Sequence, residues 1–372
     1  MQTIIILIPW FHPAYRAGGP VQSIANMVEY FSEDVSYKII CSNTDLGGEI
    51  LEKSTDIWHA HNRGTKVLYA SKKKSPVSFL KKEIKKENNH ILFINGIYSW
   101  RFNLAPLLFC KTSKKIVSAR GMLHPGALSQ KKIKKKLYLF LWKIFRLHRK
   151  CYFHASNNEE KIYIENIFGK RTKIFVAQNF PRIFSKKTVP KKNTDSLQLI
   201  SIALISPMKN YLLVLRALLK CTNYITYNIY GPVKDKGYWD LCFDEIKKLP
   251  PNIVVNYYGD IHPDKVEQAL ADSHVFILPS KSENFGHAIF EALTAGKPVI
   301  TSNNTPWNNL KESKAGINIT LESLEALSKA IDHFAEMNQN EFEQWSIGAN
   351  KYSGRAINIS DIQNQYKQMF LN

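Results

Sequence analysis

Residues 274–301 read HVFILPSKSENFGHAIFEALTAGKPVIT, and this stretch decides the fold class. The run 274–278 is a short apolar strand with no polar alternation, the pattern of a strand covered on both faces. A helical spacing follows at 286–295 (Ala288, Ile289, Ala292, Leu293), and 298–301 returns to a β-branched run. Strand, helix and strand in under thirty residues form the repeating unit of a parallel sheet flanked by helices.

The same alternation extends in both directions. Further strands are expected at 3–8, 36–41, 66–70, 91–94, 115–118, 151–155 and 173–177, then at 197–204, 225–230, 252–258 and 316–319. Helical spacing falls between them at 20–31, 78–87, 129–149, 157–167, 210–220, 264–271 and 322–337. Two such series imply two Rossmann-like, doubly wound α/β domains facing a cleft. The expected boundaries are 1–184 for the first domain, 185–196 for a polar Lys/Pro-rich linker (SKKTVPKKNTDS), and 197–356 for the second. A C-terminal helix at about 357–372 has the spacing to pack back on the first domain.

Charge divides the chain unequally. The 372 residues carry a formal net +20, yet residues 1–184 hold 31 basic and 12 acidic side chains, and 72–150 hold 21 and 2. The second half is nearly neutral. One cationic face on the first domain should meet something anionic. The five cysteines show no CxxC pairing, which suits buried thiols of a reducing compartment. The apolar start at 4–8 is too short for a secretory signal, and no run approaches the length of a spanning helix. The expected location is cytoplasmic.

In open α/β sheets ligands lie beyond the carboxyl ends of strands, so strand-to-helix loops hold the candidates. The first contains Gly18 and Gly19 just ahead of a helix, where free amides and a positive helix end suit a phosphate. It is neither a GxGxxG nor a Walker A sequence, and read alone it suits an ordinary turn before a helix as well as it suits a phosphate site. The loop after 274–278 brings Glu283, Asn284 and the amides of Phe285, Gly286 and His287 to a helix N-terminus, and Glu291 projects from an otherwise apolar helix. Singly, Glu283 is a capping carboxylate and Glu291 a solvated one. Together they suit a polyhydroxy ligand, since a carboxylate on an apolar face needs hydrogen-bond donors. Lys209, in SPMKN at 206–210, is an ordinary surface lysine or a cation for a diphosphate.

These residues carry a resemblance. Glu283 and Glu291 within ENFGHAIFEAL, followed by AGKPVI at 295–300, resemble the nucleotide-sugar signature of retaining GT-B glycosyltransferases of the family 4 type. The Gly-Gly-Pro loop at 18–20, VAQN at 176–179 and TPW at 305–307 fit the same family in matching order. The resemblance implies that Glu291 binds ribose hydroxyls, Glu283 approaches the transferred sugar, and Lys209 pairs with the donor diphosphate. Gly18 and Gly19 would close on the phosphates from the other domain. It further implies a nucleotide-diphospho-sugar co-substrate with no cofactor, and a glycan or polyprenyl-diphosphate-linked acceptor in surface-polysaccharide synthesis.

Two departures bear on the site. Leu204 stands where many members carry an arginine, and SARGMLH at 118–124 replaces SPHGMLD, so Arg120 takes the histidine position and His124 the aspartate position. An arginine is no general base; it suits a phosphate or a sugar hydroxyl, compensating for Leu204. No Asp-x-Asp and no ligand cluster of metal spacing occurs in the sequence, so a metal-independent reaction is expected.

The segment 130–150, QKKIKKKLYLFLWKIFRLHRK, reads as a basic amphipathic helix with Ile133, Leu137, Phe140, Leu141, Ile144 and Leu147 on its apolar stripe. That stripe packs on the sheet, or the helix meets an anionic membrane surface, and both can hold, with a packed stripe and a cationic face turned to lipid; Lys72–Lys74 and Lys81–Lys86 would extend the cationic face. Competing readings are a noncatalytic nucleotide-sugar-binding relative, a sugar-nucleotide epimerase of the same shape, and a nucleic-acid-binding protein. Against the last, no helix-turn-helix, RRM or zinc pattern is present, and no nucleic-acid partner is expected.

Overall fold

The computed structural model describes residues 2–33, 35–71, 76–84, 90–129, 132–184 and 189–371. Lys72–Lys74, Lys85 and Lys86 of the expected cationic face lie outside the described residues. The chain divides into two compact units: Met1–Phe180 with Ile359–Asn372, and Pro181–Asn358.

The first unit contains β1 (Gln2–Leu7), α1 (Gly19–Tyr30), β2 (Val35–Ser42), β3 (Trp58–Ala60), β4 (Lys66–Ala70), α2 (Pro76–Ile84), β5 (His90–Asn95), α3 (Ala105–Phe109), β6 (Lys114–Ser118), α4 (Pro125–Ser129), α5 (Lys132–Ile144), β7 (Tyr152–Ala155), α6 (Asn158–Phe168) and β8 (Ile174–Val176). Its sheet runs β3-β4-β2-β1-β5-β6-β7-β8 and is parallel except for the short edge pair β3·β4. The second unit contains β9 (Ser196–Ile202), α7 (Tyr211–Leu218), β10 (Tyr224–Tyr230), α8 (Lys236–Ile246), β11 (Ile253–Tyr257), α9 (Pro263–Ala271), β12 (Val275–Leu278), α10 (His287–Thr294), β13 (Val299–Ser302), β14 (Gly316–Ile319), α11 (Leu324–Glu336) and α12 (Gln339–Ala356). Its sheet, β11-β10-β9-β12-β13-β14, is wholly parallel. The last helix, α13 (Ile359–Leu371), belongs to the first unit.

Both sheets are Rossmann-like, and the apolar runs explain why. Strand β12 is buried at all four residues and β5 at all six. Such strands need helices on both faces. In the second unit α7, α8 and α11 share one core with β9 and β10, while α9, α10 and α12 share another with β12 and β13. In the first unit α13 covers the face opposite α5: Phe370 meets Phe31 and Phe93 at ring separations of 6.3 and 5.4 Å, and Tyr366 meets Phe180 at 5.0 Å.

The expected linker is not free chain. The boundary falls at Phe180 and Pro181, and Phe184 is already buried in the second core. Residues 185–188 lie outside the described residues. Beyond them Lys192 is 4 % exposed, its ammonium donating to the carbonyls of Asn193, Ala335 and Met337. A lysine placed on the open carbonyls at the end of α11 caps that helix. The segment is therefore a strap fastened to the second unit.

The 129–149 helix also differs from expectation. It ends at Ile144, Arg146 takes a left-handed conformation (φ 49°), and a 3-10 turn follows at Leu147–Arg149. Its inward residues are Leu139, Trp142 and Leu147. Of the six residues on the anticipated stripe only Leu147 is buried; Ile133, Leu137, Phe140, Leu141 and Ile144 are exposed.

Candidate active site

Strand order places the sites. In the second sheet the order reverses between β9 and β12, and ligands bind at such switch points, beyond the carboxyl ends. The loop after β9 carries Lys209, and the loop after β12 carries Glu283. The two are pinned together by the amide of Lys281 donating to the Met208 carbonyl at 2.8 Å. Across that pin the Lys209 ammonium donates to Glu283 Oε1 at 2.5 Å, with the side chains 22 % and 10 % exposed. Ser280 Oγ donates to the same oxygen at 2.6 Å, and its own carbonyl accepts from Ser302 Oγ. Glu283 is thus a carboxylate held in place by two donors.

Gly286 caps α10 with φ 76°, and a Cβ there would sit 3.2 Å from Ile289 Cδ1 and Trp307 Nε1. Glycine is the residue that accommodates both the left-handed backbone and the close approach. Trp307 Nε1 donates to the Phe285 carbonyl at 2.6 Å, and the Phe285 ring meets those of His287 at 4.5 Å and Trp307 at 5.3 Å. These contacts fix the turn that presents the amides of Phe285, Gly286 and His287 at the start of α10. Asn284 lies in the same turn.

Glu291, one turn further along α10, is 8 % exposed. Burial raises its carboxyl to about 7, opposed by the Arg182 guanidinium. Arg182 stacks over Phe184 and donates to the Pro263 carbonyl at 3.1 Å. Nothing in the sequence singles out Arg182; its role appears only when chain distant in sequence folds beside α10.

In the first unit the switch point lies between β1 and β5. The loop after β1 ends at Gly18, the N-cap of α1, in a left-handed backbone (φ 67°) with open space where a Cβ would project. Buried Asp45 accepts from the amides of Tyr15 and Arg16 at 3.1 and 3.3 Å and so holds the loop. Gly19 opens α1, its carbonyl accepting from Ser23 Oγ. Asp45 was not legible as a site-shaping residue, because its partners are main-chain amides thirty positions away.

Arg120 follows β6 with φ 51°. Its Nε donates to Asn95 Oδ1 at 3.0 Å and its Nη1 to Asn179 Oδ1, and it lies over Phe93 beside Tyr366 of α13. Burial lowers its pKa, while Tyr366 and Glu160 act to raise it. Two of its donor groups are therefore committed within the protein, so Arg120 is a hub joining β5, β6 and α13. Replacing Arg120 by methionine should destabilise the first unit by about 2–3 kcal/mol, because two buried amide oxygens lose their donor. Urea unfolding measures this; an unchanged midpoint would remove the hub role.

Its neighbours confirm a rigid setting. Glu160 accepts from the Gly121 amide, the Ser156 amide and Ser156 Oγ at 2.6–2.9 Å. His154 is fully buried between Ser118 Oγ and the Ala177 carbonyl, with burial first and Arg120 second lowering its pKa to about 3. Burial thus favours its neutral form. His124 Nδ1 accepts from the Gly126 amide at 3.0 Å, and its ring meets Tyr163 edge-on at 5.0 Å.

Comparison with known proteins agrees with this architecture. Residues 183–352 match the sequence model of the family described as glycosyl transferases group 1. The chain is 22% identical over 253 residues to an uncharacterized 41.2 kDa protein in the cps region of Klebsiella pneumoniae, covering 65% of this chain and 67% of that one. Among solved structures it is similar to sucrose-phosphate synthase from Thermosynechococcus elongatus (TM-score 0.76, 14% identity, 99% and 98% of the two chains). It is also similar to HepE of Anabaena in complex with UDP and glucose (TM-score 0.72, 15% identity, 99% of each chain). Residues 183–352 of the second unit are thus similar to glycosyl transferases group 1, and the chain has the GT-B fold.

Proposed function

We propose that the protein is a retaining, family 4 type glycosyltransferase that moves a sugar from a nucleotide-diphospho-sugar to a glycan or polyprenyl-diphosphate-linked acceptor. The observation that carries this reading is the β12–α10 segment, which sets Glu283 against Lys209 and buries Glu291, eight positions beyond Glu283. Glu291 would accept hydrogen bonds from the ribose hydroxyls. Lys209 and the amides of Phe285, Gly286 and His287 would meet the diphosphate, without a metal or other cofactor. Glu283 would orient the transferred sugar. Gly18 and Gly19 offer a second, glycine-lined approach for phosphate, while Arg120 and His124 border the acceptor-side loops.

In this mechanism an acceptor hydroxyl attacks the anomeric carbon from the side the diphosphate leaves. The departing phosphate oxygen takes the hydroxyl proton, and Lys209 stabilises the charge that develops on the leaving group. The cps-region relative and the UDP complex of HepE support a place in cell-surface polysaccharide synthesis with a nucleotide-sugar donor. The expected setting is the cytoplasmic face of a membrane.

A thermal-shift panel of nucleotide sugars tests the donor. One member should raise the unfolding midpoint, since a ligand at one hundred times its Kd stabilises by about 2.7 kcal/mol. That shift should vanish in Glu291→Ala. A shift equal in wild type and variant would overturn the assignment of this site.

A further inference from the structure

The two faces of α5 are both apolar, and one of them faces outward. Its packed side consists of Leu139 and Trp142, with Trp142 against Phe153 and Phe168, and Tyr138 against Tyr98. At about 100° per residue, Ile133, Leu137, Phe140 and Ile144 project from the opposite side. They are 83 %, 59 %, 57 % and 55 % exposed, and Phe145 just beyond is 61 % exposed. A helix buried on one side normally turns polar residues to water, so this ridge is anomalous.

Cations flank it. Lys132, Lys136 and Lys143 fall along one edge and Lys134 along the other, all exposed. No Asp or Glu occurs between Glu87 and Glu159. The neighbouring crossover adds a second apolar group, Trp100 and Phe109, 61 % and 53 % exposed with rings 6.5 Å apart. The β5–β6 and β6–β7 crossovers step in the same direction across the sheet, so right-handed connections place α3 and α5 on one face. The Tyr138 hydroxyl bonded to the Ile97 carbonyl joins the two segments.

We infer that this face inserts into an anionic lipid bilayer, with the α5 ridge below the phosphates and its flanking lysines among them. A second copy of the chain would set like charge against like. A nucleic acid would satisfy the lysines and leave the aliphatic ridge in water. An interface of acyl chains beneath anionic headgroups accommodates both. Among the described residues no helix is long and apolar enough to cross a membrane, and the contact is one of lying in the interface. The inference goes beyond sugar transfer and stands apart from the donor assignment.

The test is co-sedimentation of the full chain with mixed phosphatidylglycerol–phosphatidylcholine vesicles and with pure phosphatidylcholine vesicles. Wild type should bind the mixed vesicles. The triple variant Leu137→Ser, Phe140→Ser, Ile144→Ser should lose at least about thirtyfold in partitioning. The variant Lys132→Glu, Lys136→Glu, Lys143→Glu should lose binding most strongly at low salt. These side chains are exposed, so both variants should keep the wild-type melting curve and the nucleotide-sugar thermal shift, which separates this result from any failure of the donor site. Unchanged partitioning of the serine variant would reduce the contact to surface charge and overturn insertion. Wild type that ignores the vesicles, or dimerises in a way the serine variant abolishes, would overturn it equally.

Discussion

Replacing Glu291 by glutamine is expected to stabilise the protein at neutral pH in the absence of nucleotide sugar while weakening its response to that ligand. The carboxyl is 8 % exposed and raised from 4.5 to about 7 by burial, with Arg182 opposing. A folded-state pKa above the unfolded value means that the native state binds the extra proton between the two. Stability therefore falls as pH rises through that window and is level above it. The full penalty, present above about pH 7, is roughly 3 kcal/mol, or a midpoint lowered by about 6–10 °C in a unit of this size. Glutamine carries no charge to bury. The variant should melt well above wild type at about pH 8, and the gap should close near pH 5, where wild type is protonated.

The ligand response moves the other way. A glutamine offers its ligand one carbonyl oxygen and two donors, where an ionised carboxylate accepts twice from vicinal hydroxyls. Nucleotide-sugar affinity should drop about tenfold or more. A residue that costs stability and is needed for binding marks a functional site. Scanning calorimetry of both proteins at the two pH values, with and without ligand, decides the matter. A variant no more stable than wild type at about pH 8 would show that Glu291 carries no burial penalty.

Which parts of this were legible beforehand follows from the range of the interactions. Strands such as 91–94 and 275–278 announce themselves because every residue is apolar, and the structure buries them completely. The edge strand Trp58–Ala60 does not, being three residues paired only on one side. Helix α12 is hidden by its composition: polar residues and two glycines interrupt the apolar period, and Gly348 lies where a Cβ would meet the Lys314 carbonyl at 2.4 Å. Lys192 shows the limit of reading charge as exposure, since the carbonyls of adjacent Asn193 and of distant Ala335 and Met337 make its burial favourable. In α5 the helical period is legible but its inward direction is not, because Tyr138, Leu139 and Trp142 form a second apolar stripe that the sheet selects. Lys209 and Glu283 could be placed at strand ends by pattern alone. Their pairing across 74 positions needed the strand order.

That pairing makes opposite predictions for its two members. Lys209 is engaged by Glu283 at 2.5 Å, so under the proposed function an incoming diphosphate would compete with a carboxylate for the same ammonium. Glu283→Gln removes the competitor and leaves the cation in place. Nucleoside-diphosphate affinity should then be unchanged or several-fold tighter, while sugar transfer falls by at least about a hundredfold for want of the carboxylate that orients the sugar. Lys209→Met removes the cation instead. It should weaken the nucleoside diphosphate by about tenfold to thirtyfold, the loss of one charge-assisted hydrogen bond, and lower transfer still further because leaving-group stabilisation is lost as well. Both variants combined should bind the nucleotide no worse than Lys209→Met alone, since the carboxylate acts on it through the lysine. Titration calorimetry with the nucleoside diphosphate of the stabilising donor, paired with turnover measured by nucleotide release, separates the roles. Should Glu283→Gln weaken the nucleotide as much as Lys209→Met, Glu283 would belong to the nucleotide site itself, and the division of labour between the two residues would fall.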